Sequence, residues 1–236
     1  NSAQPLTPDI NLSSAYAFKN FEDLENYHSD PLNNQRYTRD SNEISRQVEL
    51  YFSVMHGDAH CSLFNSGMSA VMAAFSVLFE EVDLVVTNGI FYRKTESVIT
   101  SLANLRGIPV INIASNSSFE VLEKFIDKNI LFFIENPSNP FLELVDIDQV
   151  KEKFPNSKII LDFSLCGLLN GSNMIQSADL AITSCTKYIG GHNDFLGGLV
   201  ITQDKKLSEK IWQYRSMAGT LIDPFSSYLL LRSLRT

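Results

Sequence analysis

Two patterns of apolar residues alternate along most of the chain. From Asn42 onward, short apolar runs are separated by stretches in which apolar side chains recur every three or four positions. The short runs predict buried β-strands, and the longer periodic stretches predict α-helices. Because the strands are apolar throughout and separated by helices, we expect a mostly parallel sheet covered on both faces, which is a three-layer α/β domain. The predicted strands are Cys61–Phe64, Leu84–Thr87, Val110–Ile113, Leu131–Ile134, Ile159–Asp162, Leu180–Thr183 and Gly198–Thr202.

The N-terminal segment differs in composition from the rest of the chain. Residues 1–41 are polar and contain Pro5, Pro8 and Pro31, so we expect an extended arm with little core of its own. Residues 42–236 should form one large domain. The helices expected in it are Ile44–Met55, closed by Gly57, and Met68–Leu78, Arg93–Leu105, Ser118–Phe125 and Ile147–Phe154.

Polar residues follow several of the predicted strands. In a parallel sheet, ligands bind at the carboxyl ends of the strands, so these residues are the candidates for a binding site. Small, polar or ionisable side chains cluster there, which predicts a polar ligand. They are Asn65 to Met68, Tyr92, Glu135 to Asn139, Asp162 and Ser184 to Lys187.

The composition and net charge of the chain indicate which classes of molecule it is expected to bind and where it is expected to be located. The chain has 236 residues, 44% of them hydrophobic and 19% charged, which is typical of a soluble globular protein. A net charge of -8 disfavours a nucleic-acid or anionic-membrane partner. Cys61, Cys166 and Cys185 lie far apart, which predicts reduced thiols. No run approaches the ~18 apolar residues of a membrane span, and the first residues do not resemble a signal peptide. We therefore expect a cytoplasmic protein.

Lys187 is the strongest candidate for chemistry. It directly follows a predicted buried strand in SCTKYIGGHNDFLGG, with Ser184 and Thr186 before it and glycines after it. Its neutral amine could form a Schiff base with an aldehyde cofactor, and the two hydroxyls could bind a phosphate. Such a site must favour the neutral amine over the ammonium form. From spacing alone, a solvated lysine in a glycine-rich loop is the alternative.

Two further segments also stand at strand ends. Asp162 ends the strand KIILD, where a carboxylate could pair with the protonated ring nitrogen of a pyridine cofactor, or could cap a helix or form a turn. In NSGMSA, residues 65–70, Gly67 would let the backbone approach a ligand, and the free amides at the helix start would bind an anion. The histidines show no metal-ligand spacing, so no metal site is predicted.

These segments together resemble the Cys/Met-metabolism, or transsulfuration, family of pyridoxal-phosphate (PLP) enzymes, and the resemblance covers most of the chain. That family includes cystathionine γ-synthase, cystathionine lyases and methionine γ-lyase. NSGMSA resembles its phosphate loop, ENPSNP its ET/SPxNP segment, and SCTKYIGGHND its SxTKYxxGHxD signature. RYTRDSN, residues 36–42, resembles its tyrosine and arginine segment. The resemblance implies a large domain of PLP fold type I, as in aspartate aminotransferase, with PLP as cofactor and an amino acid as substrate.

The resemblance also implies roles for individual residues. Lys187 would carry PLP as a Schiff base and move protons between substrate carbons, and Asp162 would pair with the pyridinium. Tyr92 would lie over the ring and act as an acid or base near the leaving group, while Asn139 would contact the ring hydroxyl. His192 would support the turn after Lys187. The phosphate would be held by Ser66, Gly67, Met68, Ser184 and Thr186, and by Tyr37 and Arg39 of a neighbouring subunit in a homodimer or tetramer.

Three segments depart from the family's pattern. YGGT or YGCT is replaced by YRKT, which puts Arg93 and Lys94 beside Tyr92. These cations could recruit an acidic substrate group, make Tyr92 more acidic, or begin a solvated helix. DNTxATP is replaced by DFSLCGL, so that Phe163 stands where a polar neighbour of Asp162 is usual. NPT after the arginine segment is replaced by NEI, and together these changes leave the substrate open.

The expected reaction is PLP-dependent elimination or γ-replacement on a sulfur-containing or activated-homoserine amino acid. YRKT and DFSLCGL keep a second reading open, a γ-replacement with a non-sulfur nucleophile in secondary metabolism. A third reading is a catalytically silent PLP-binding homologue or fragment. It arises because the chain stops at LLLRSLRT, where the family's helix leads into a smaller C-terminal domain that supplies the arginine for the substrate carboxylate.

Overall fold

Seven strands form a single sheet within the described residues. The computed structural model describes residues 6–31, 34–115, 119–168, 170 and 172–235. The strands are β1 (His60–Phe64), β2 (Leu84–Asn88), β3 (Val110–Ile113), β4 (Ile130–Glu135), β5 (Lys158–Asp162), β6 (Leu180–Ser184) and β7 (Gly198–Thr202). Every strand predicted from the sequence is present, with ends that move by no more than one residue.

The order of the strands is β1-β7-β6-β5-β4-β2-β3. β7 runs antiparallel to both of its neighbours, whereas β6, β5, β4, β2 and β3 pair in parallel. The expected mostly parallel sheet is therefore confirmed. A consequence is that β1, β2, β4, β5 and β6 all point their carboxyl ends to the same edge of the sheet.

Eight α-helices accompany the sheet in the described part of the chain. They are α1 (Phe21–Ser29), α2 (Glu43–Met55), α3 (Gly67–Leu78), α4 (Arg93–Arg106), α5 (Ile147–Lys153), α6 (Ser172–Ser177), α7 (Lys205–Ala218) and α8 (Pro224–Ser233). Short 3-10 helices cover Phe79–Glu81 and Glu120–Phe125. No helix in these ranges is both long enough and apolar enough to cross a bilayer.

Two expectations about local structure were wrong. The arm was expected to be extended, but it contains α1, whose first turn is capped by the Asn20 side chain accepting the Asp23 N–H at 2.8 Å. None of the residues of α1 is buried. The α-helix expected over Ser118–Phe125 is a 3-10 helix over Glu120–Phe125, and Ser118 lies outside the described residues. Only one residue of that 3-10 helix, Leu122, is buried, so packing does not favour a longer α-helix.

The core lies on both faces of the sheet. Helices α3, α4 and α7 cover one face, and α2, α5, α6 and α8 cover the other. Strand β4 shows the reason most clearly, because all six of its residues are buried. Its side chains alternate between the faces, with Phe133 packing on one side and Phe132 on the other. The result is the three-layer α/β arrangement expected from the sequence.

Candidate active site

A cavity of about 290 Å³ opens at the carboxyl ends of β1, β2, β4, β5 and β6. Because all of these strands end at one edge of the sheet, residues far apart in the sequence meet around it. Every site residue predicted from the sequence except Tyr37 and Arg39 lines this cavity. Those that do are Ser66, Gly67, Met68, Tyr92, Asn139, Asp162, Ser184, Thr186 and Lys187.

One wall of the cavity is the N-terminus of α3. The Ser66 side chain caps this helix and accepts the Ser69 N–H at 3.2 Å. A Cβ atom on Gly67 would lie only 2.9 Å from Cβ of Ser184, so glycine is required for α3 to start this close to β6. Thr186 is oriented by its Oγ1, which accepts the Gly197 N–H at 3.1 Å. Main-chain amides and three hydroxyl groups therefore converge where an anion could bind.

Asp162 forms the floor of the cavity at the end of β5. Its side chain is buried, and burial raises the pKa of its carboxyl. No Lys, Arg or His nitrogen of a described residue lies within 4.0 Å of it. A buried carboxylate that has no cation within ion-pair distance is stabilised by a positively charged ligand group in the cavity, which is the property of a protonated pyridine nitrogen. The donor set therefore fits PLP.

The departure next to Asp162 is explained by its contacts. Phe163, which stands where a polar residue was expected, is fully buried in the core. Ser164 supplies the polar contact instead, since its N–H donates to Oδ1 of Asp162 at 3.0 Å and its hydroxyl also opposes the rise in the pKa of this carboxyl. Sequence reasoning missed Ser164, although a hydroxyl residue two positions after a strand-end aspartate was a visible signal.

Lys187 follows β6 in a turn closed by main-chain hydrogen bonds. Its N–H donates to the Ser184 carbonyl at 3.1 Å, and its carbonyl accepts the Gly191 N–H at 2.8 Å. His192 donates from Nδ1 to the Gly190 carbonyl at 2.6 Å, in the loop that follows. The Lys187 side chain is exposed at the wall of the cavity.

Tyr92 stands at the entrance of the cavity as the N-cap residue of α4. Its side chain is 47% exposed, and its N–H donates to Oε2 of Glu135 at 2.9 Å. Sequence reasoning gave Glu135 no individual role. It is buried, and burial raises the pKa of its carboxyl to about 7, although the N–H groups of Tyr92 and Asn139 oppose this rise. A glutamate that ends an otherwise apolar strand was the signal that could have identified it.

Thr95 is a second residue that sequence reasoning missed. It lies in the first turn of α4, is fully buried, and lines the same cavity as Asp162. Its Oγ1 has no hydrogen-bond partner among the described residues. A buried hydroxyl without a partner is uncommon in folded proteins, so a bound water or ligand group is the expected partner.

The two cations of YRKT lie outside this cavity. Arg93 and Lys94 are both exposed in the first turn of α4. Lys94 lines a second, open groove between α3 and α4, which shares Met68 and Tyr92 with the cavity. The exposed positions of Arg93 and Lys94 agree with two of the roles expected from the sequence, which are recruitment of an acidic substrate group and the start of a solvated helix.

Tyr37 and Arg39 do not reach the cavity in this chain. The Arg39 guanidinium lies over the Tyr37 ring, 5.1 Å from its centroid, and Tyr37 is 42% exposed. The segment is held to the arm by a β-bridge between Ala15 and Tyr37. Among the described residues that line the cavity, Lys187 is the only Lys or Arg.

The fold and the cavity together define a PLP-binding domain of fold type I. The chain matches the family model "Cys/Met metabolism PLP-dependent enzyme" over residues 2–236. It therefore belongs to the Cys/Met-metabolism family of PLP-dependent enzymes, and PLP is the cofactor of this family. This agrees with the family resemblance identified from the sequence.

Individual relatives support the same assignment. Cystathionine gamma-lyase of Bacillus subtilis (strain 168) is 32% identical over 203 residues, which cover 85% of this chain and 53% of the relative. Cystathionine gamma-synthase of Escherichia coli (strain K12) is 29% identical, with 98% and 58% covered. The crystal structure of metB from Corynebacterium glutamicum superposes with a TM-score of 0.86 at 26% identity and covers 98% of this chain and 59% of that one. This chain thus spans somewhat more than half the length of these relatives.

Proposed function

We propose that the protein catalyses PLP-dependent elimination or γ-replacement on a sulfur-containing or activated-homoserine amino acid. The observation that carries the proposal is the cavity in which Lys187, Asp162 and the N-terminus of α3 face one another. A primary amine, a buried carboxylate and an anion-binding helix start are the three groups that PLP requires. The relatives named above are enzymes of this kind.

The cofactor would be held by groups at opposite ends of the cavity. Lys187 would bind it covalently through Nζ, and Asp162 would pair with the ring nitrogen. Asn139 would contact the ring hydroxyl and Tyr92 would cover the ring. The phosphate would be bound by Ser66, Gly67, Met68, Ser184 and Thr186. When bound, PLP supplies an electron sink for negative charge that develops on the substrate carbon.

The proton transfers would be carried by two side chains. Nζ of Lys187, freed when the substrate amine takes its place, would accept the proton from the α carbon and return it to another carbon. The Tyr92 hydroxyl, at the cavity entrance, would protonate or deprotonate the group that leaves. Val71, Leu165 and Ile182 would exclude water from the reacting atoms, because they supply apolar, partly or fully buried side chains to the cavity wall.

The substrate class is proposed from the relatives. Cystathionine gamma synthase from Xanthomonas oryzae pv. oryzae, crystallised in complex with cystathionine, superposes on this chain with a TM-score of 0.84 at 26% identity. A second crystal structure of that enzyme holds aminoacrylate and cysteine. Cystathionine and cysteine are therefore the first amino acids to test as ligands of this protein.

A second copy of the chain is the proposed partner. Tyr37 and Arg39 are partly exposed and lie outside the cavity, whereas a bound phosphate would face no arginine of the described residues within one copy. We therefore infer that these residues complete the phosphate site of a neighbouring subunit in a homodimer or tetramer. A cytoplasmic location is proposed because the three cysteines are unpaired, as is usual where thiols are kept reduced.

The test of this proposal is an absorbance spectrum of the full-length protein with PLP, before and after Lys187→Ala. We expect a visible band in the wild type that is lost in Lys187→Ala and changes shape when cystathionine or cysteine is added. Lys206→Ala, an exposed lysine on α7, is the matched control and should keep the band. A folded wild-type protein that gives no band with PLP would rule out the proposed function.

A further inference from the structure

Glu135 is a buried carboxylate for which the proposed reaction gives no role. It ends β4, where it is the register partner of Asp162 on β5, and its side chain is 3% exposed. It lines the same cavity as Asp162. Within the described ranges no Lys, Arg or His nitrogen approaches it to 4.0 Å. The contacts that stabilise the negative charge of Glu135 are therefore main-chain donors.

These donors come from two separate segments. Oε2 of Glu135 accepts the N–H of Tyr92 at 2.9 Å. The N–H of Asn139 also stabilises the carboxylate electrostatically, as a smaller contribution. Tyr92 belongs to the connection between β2 and α4, and Asn139 belongs to the connection between β4 and α5. One side chain thus joins the two segments that carry the proposed ring contacts.

The Tyr92 carbonyl accepts the N–H groups of Thr95 and Glu96 in the first turn of α4, so apart from Glu135 its main-chain contacts come from that helix. As the N-cap residue of α4, Tyr92 makes no side-chain capping bond, and both Tyr92 and Asn139 are exposed. Glu135 itself is firmly placed, because its own N–H donates to Oδ1 of Asn88 at 3.2 Å at the end of β2. Strand ends are rigid, so a carboxylate anchored there can fix loops that would otherwise move.

We propose that Glu135 is a positioning residue whose ionised carboxylate holds the main chain of Tyr92 and Asn139, so that both side chains face the cofactor ring. This inference rests on the proposed function, since it assumes that Tyr92 and Asn139 contact the ring. Protonation of Glu135 turns one of its two carboxylate oxygens into a hydroxyl, which is a weaker acceptor. The contact between Glu135 and the main chain of Tyr92 and Asn139 is then weakened.

The electrostatic environment sets the pH at which this release happens. Burial raises the pKa of Glu135 to about 7, the nearby Asp162 raises it further, and the two N–H donors oppose the rise. Besides Asp162, the titratable groups that line the cavity with Glu135 are Tyr92 and Lys187. A cation paired with Asp162 cancels its repulsion of Glu135 and favours the ionised form. Cofactor binding and proton release from Glu135 are therefore expected to support each other.

The first experiment uses the full-length protein without cofactor. Backbone amide resonances of Tyr92 and Asn139, observed after selective ¹⁵N labelling, are followed over a pH titration. In the wild type we expect both amides to titrate with a midpoint near the pKa of about 7 of Glu135. In Glu135→Gln they should not titrate, because glutamine does not ionise and its amide group opposes one of the two N–H donors.

The matched control is Glu143→Gln, an exposed carboxylate in the same connection, which should titrate like the wild type. Amides that do not titrate in the wild type, or that titrate equally in Glu135→Gln, would overturn the inference. The wild-type titration needs no variant, so it decides the question even if Glu135→Gln does not fold.

The second experiment measures PLP affinity as a function of pH. We expect Glu135→Gln to bind PLP about tenfold more weakly than the wild type above pH 7, and to lose the weakening that the wild type shows below it. Affinity and pH dependence that match the wild type would overturn the inference. If no PLP band forms in the wild type, the proposed function fails, and the amide titration still tests Glu135 independently.

Discussion

Asp162 and Glu135 end neighbouring parallel strands and face one cavity, but they have different partners. Asp162 accepts the N–H of Ser164, within its own turn. Glu135 accepts the N–H of Tyr92 and is also stabilised by the N–H of Asn139, both from other segments. Burial raises the pKa of both carboxyls, so each depends on what it contacts to stay ionised. Asp162 can therefore still pair with a cation of a ligand, whereas the carboxylate of Glu135 is occupied by main-chain N–H groups.

The residue-scale prediction for Asp162 concerns catalysis. Asp162→Asn removes the charge that keeps a ring nitrogen protonated, so we expect kcat/KM to fall about a hundredfold or more, or roughly 3 kcal/mol. Steady-state kinetics of the full-length enzyme measure this effect. Asp127→Asn, an exposed carboxylate, should retain activity. Turnover by Asp162→Asn close to that of the wild type would show that Asp162 does not pair with the ring.

A second residue-scale prediction concerns His56 and acid stability. His56 is 2% exposed, neither ring nitrogen has a hydrogen-bond partner among the described residues, and burial lowers its pKa. The unfolded chain therefore binds a proton at higher pH than the folded protein. Stability is thus lost as pH falls below the usual histidine pKa of ~6.5.

His56→Leu should reduce this acid sensitivity. Urea unfolding measured above and below that pH should give a smaller difference in His56→Leu than in the wild type. His28→Leu, at an exposed position, should behave like the wild type. An equal loss of stability in His56→Leu and the wild type would contradict the prediction.

At the scale of elements, Arg215 connects α7 to α2, β1 and the end of the arm. Its side chain is 3% exposed, its Nη1 lies 2.5 Å from Oε1 of Glu49, and it donates to the Leu63 carbonyl at 3.0 Å. Nη2 donates to the Asp40 carbonyl at 3.3 Å. Since β1 leads directly into α3, this buried ion pair helps to place the helix start that faces the cavity.

Breaking this pair should destabilise the whole domain. Arg215→Met leaves the partly buried carboxylate of Glu49 without the arginine that pairs with it, so we expect the free energy of unfolding to fall by about 3 kcal/mol. The control is Arg232→Met, whose pair with Asp194 is 44% exposed at the arginine and should contribute less than ~1 kcal/mol. Chemical denaturation compares the two variants, and equal effects would show that burial of the Arg215 pair does not matter.

At the scale of the whole molecule, the described part of one copy does not supply the arginine that the proposed phosphate site needs. Lys187 is the only cationic side chain of that part lining the cavity, and its proposed role is at the opposite end of the cofactor. Arg39 is 54% exposed and, among the described residues, its one ion pair is a 3.9 Å contact with the adjacent Asp40. These observations favour an assembly in which the arm of one copy reaches the cavity of another.

Subunit mixing tests this assembly. The Arg39→Ala variant, with or without Tyr37→Phe, should bind PLP at least about tenfold more weakly, because a charged phosphate contact is lost. Mixed oligomers of Arg39→Ala with Lys187→Ala should regain activity, since one site then receives both intact residues. Oligomers made of either variant alone should not regain activity. An unchanged PLP affinity in Arg39→Ala would contradict the prediction.

The sequence by itself determined the strands and which residues would meet at the carboxyl edge of the sheet. Apolar runs such as LVV in β2 and ILFFI in β4 are buried on both faces, and such a run has few alternatives to a central strand. Because parallel strands end at one edge, the residues after them could be placed together from the order of the strands alone. Asp162, Lys187 and the segment NSGMSA were found in this way.

The tertiary structure decided what depends on partners distant in the chain. The short apolar pattern at 118–125 did not distinguish an α-helix from a 3-10 helix, and the polar arm did not reveal α1. The roles of Glu135 and Ser164 rest on hydrogen bonds to particular amides and carboxylates, and Tyr37 was found outside the cavity. Local periodicity encodes burial and element type, whereas hydrogen-bond partners and desolvation exist only after the strands have paired.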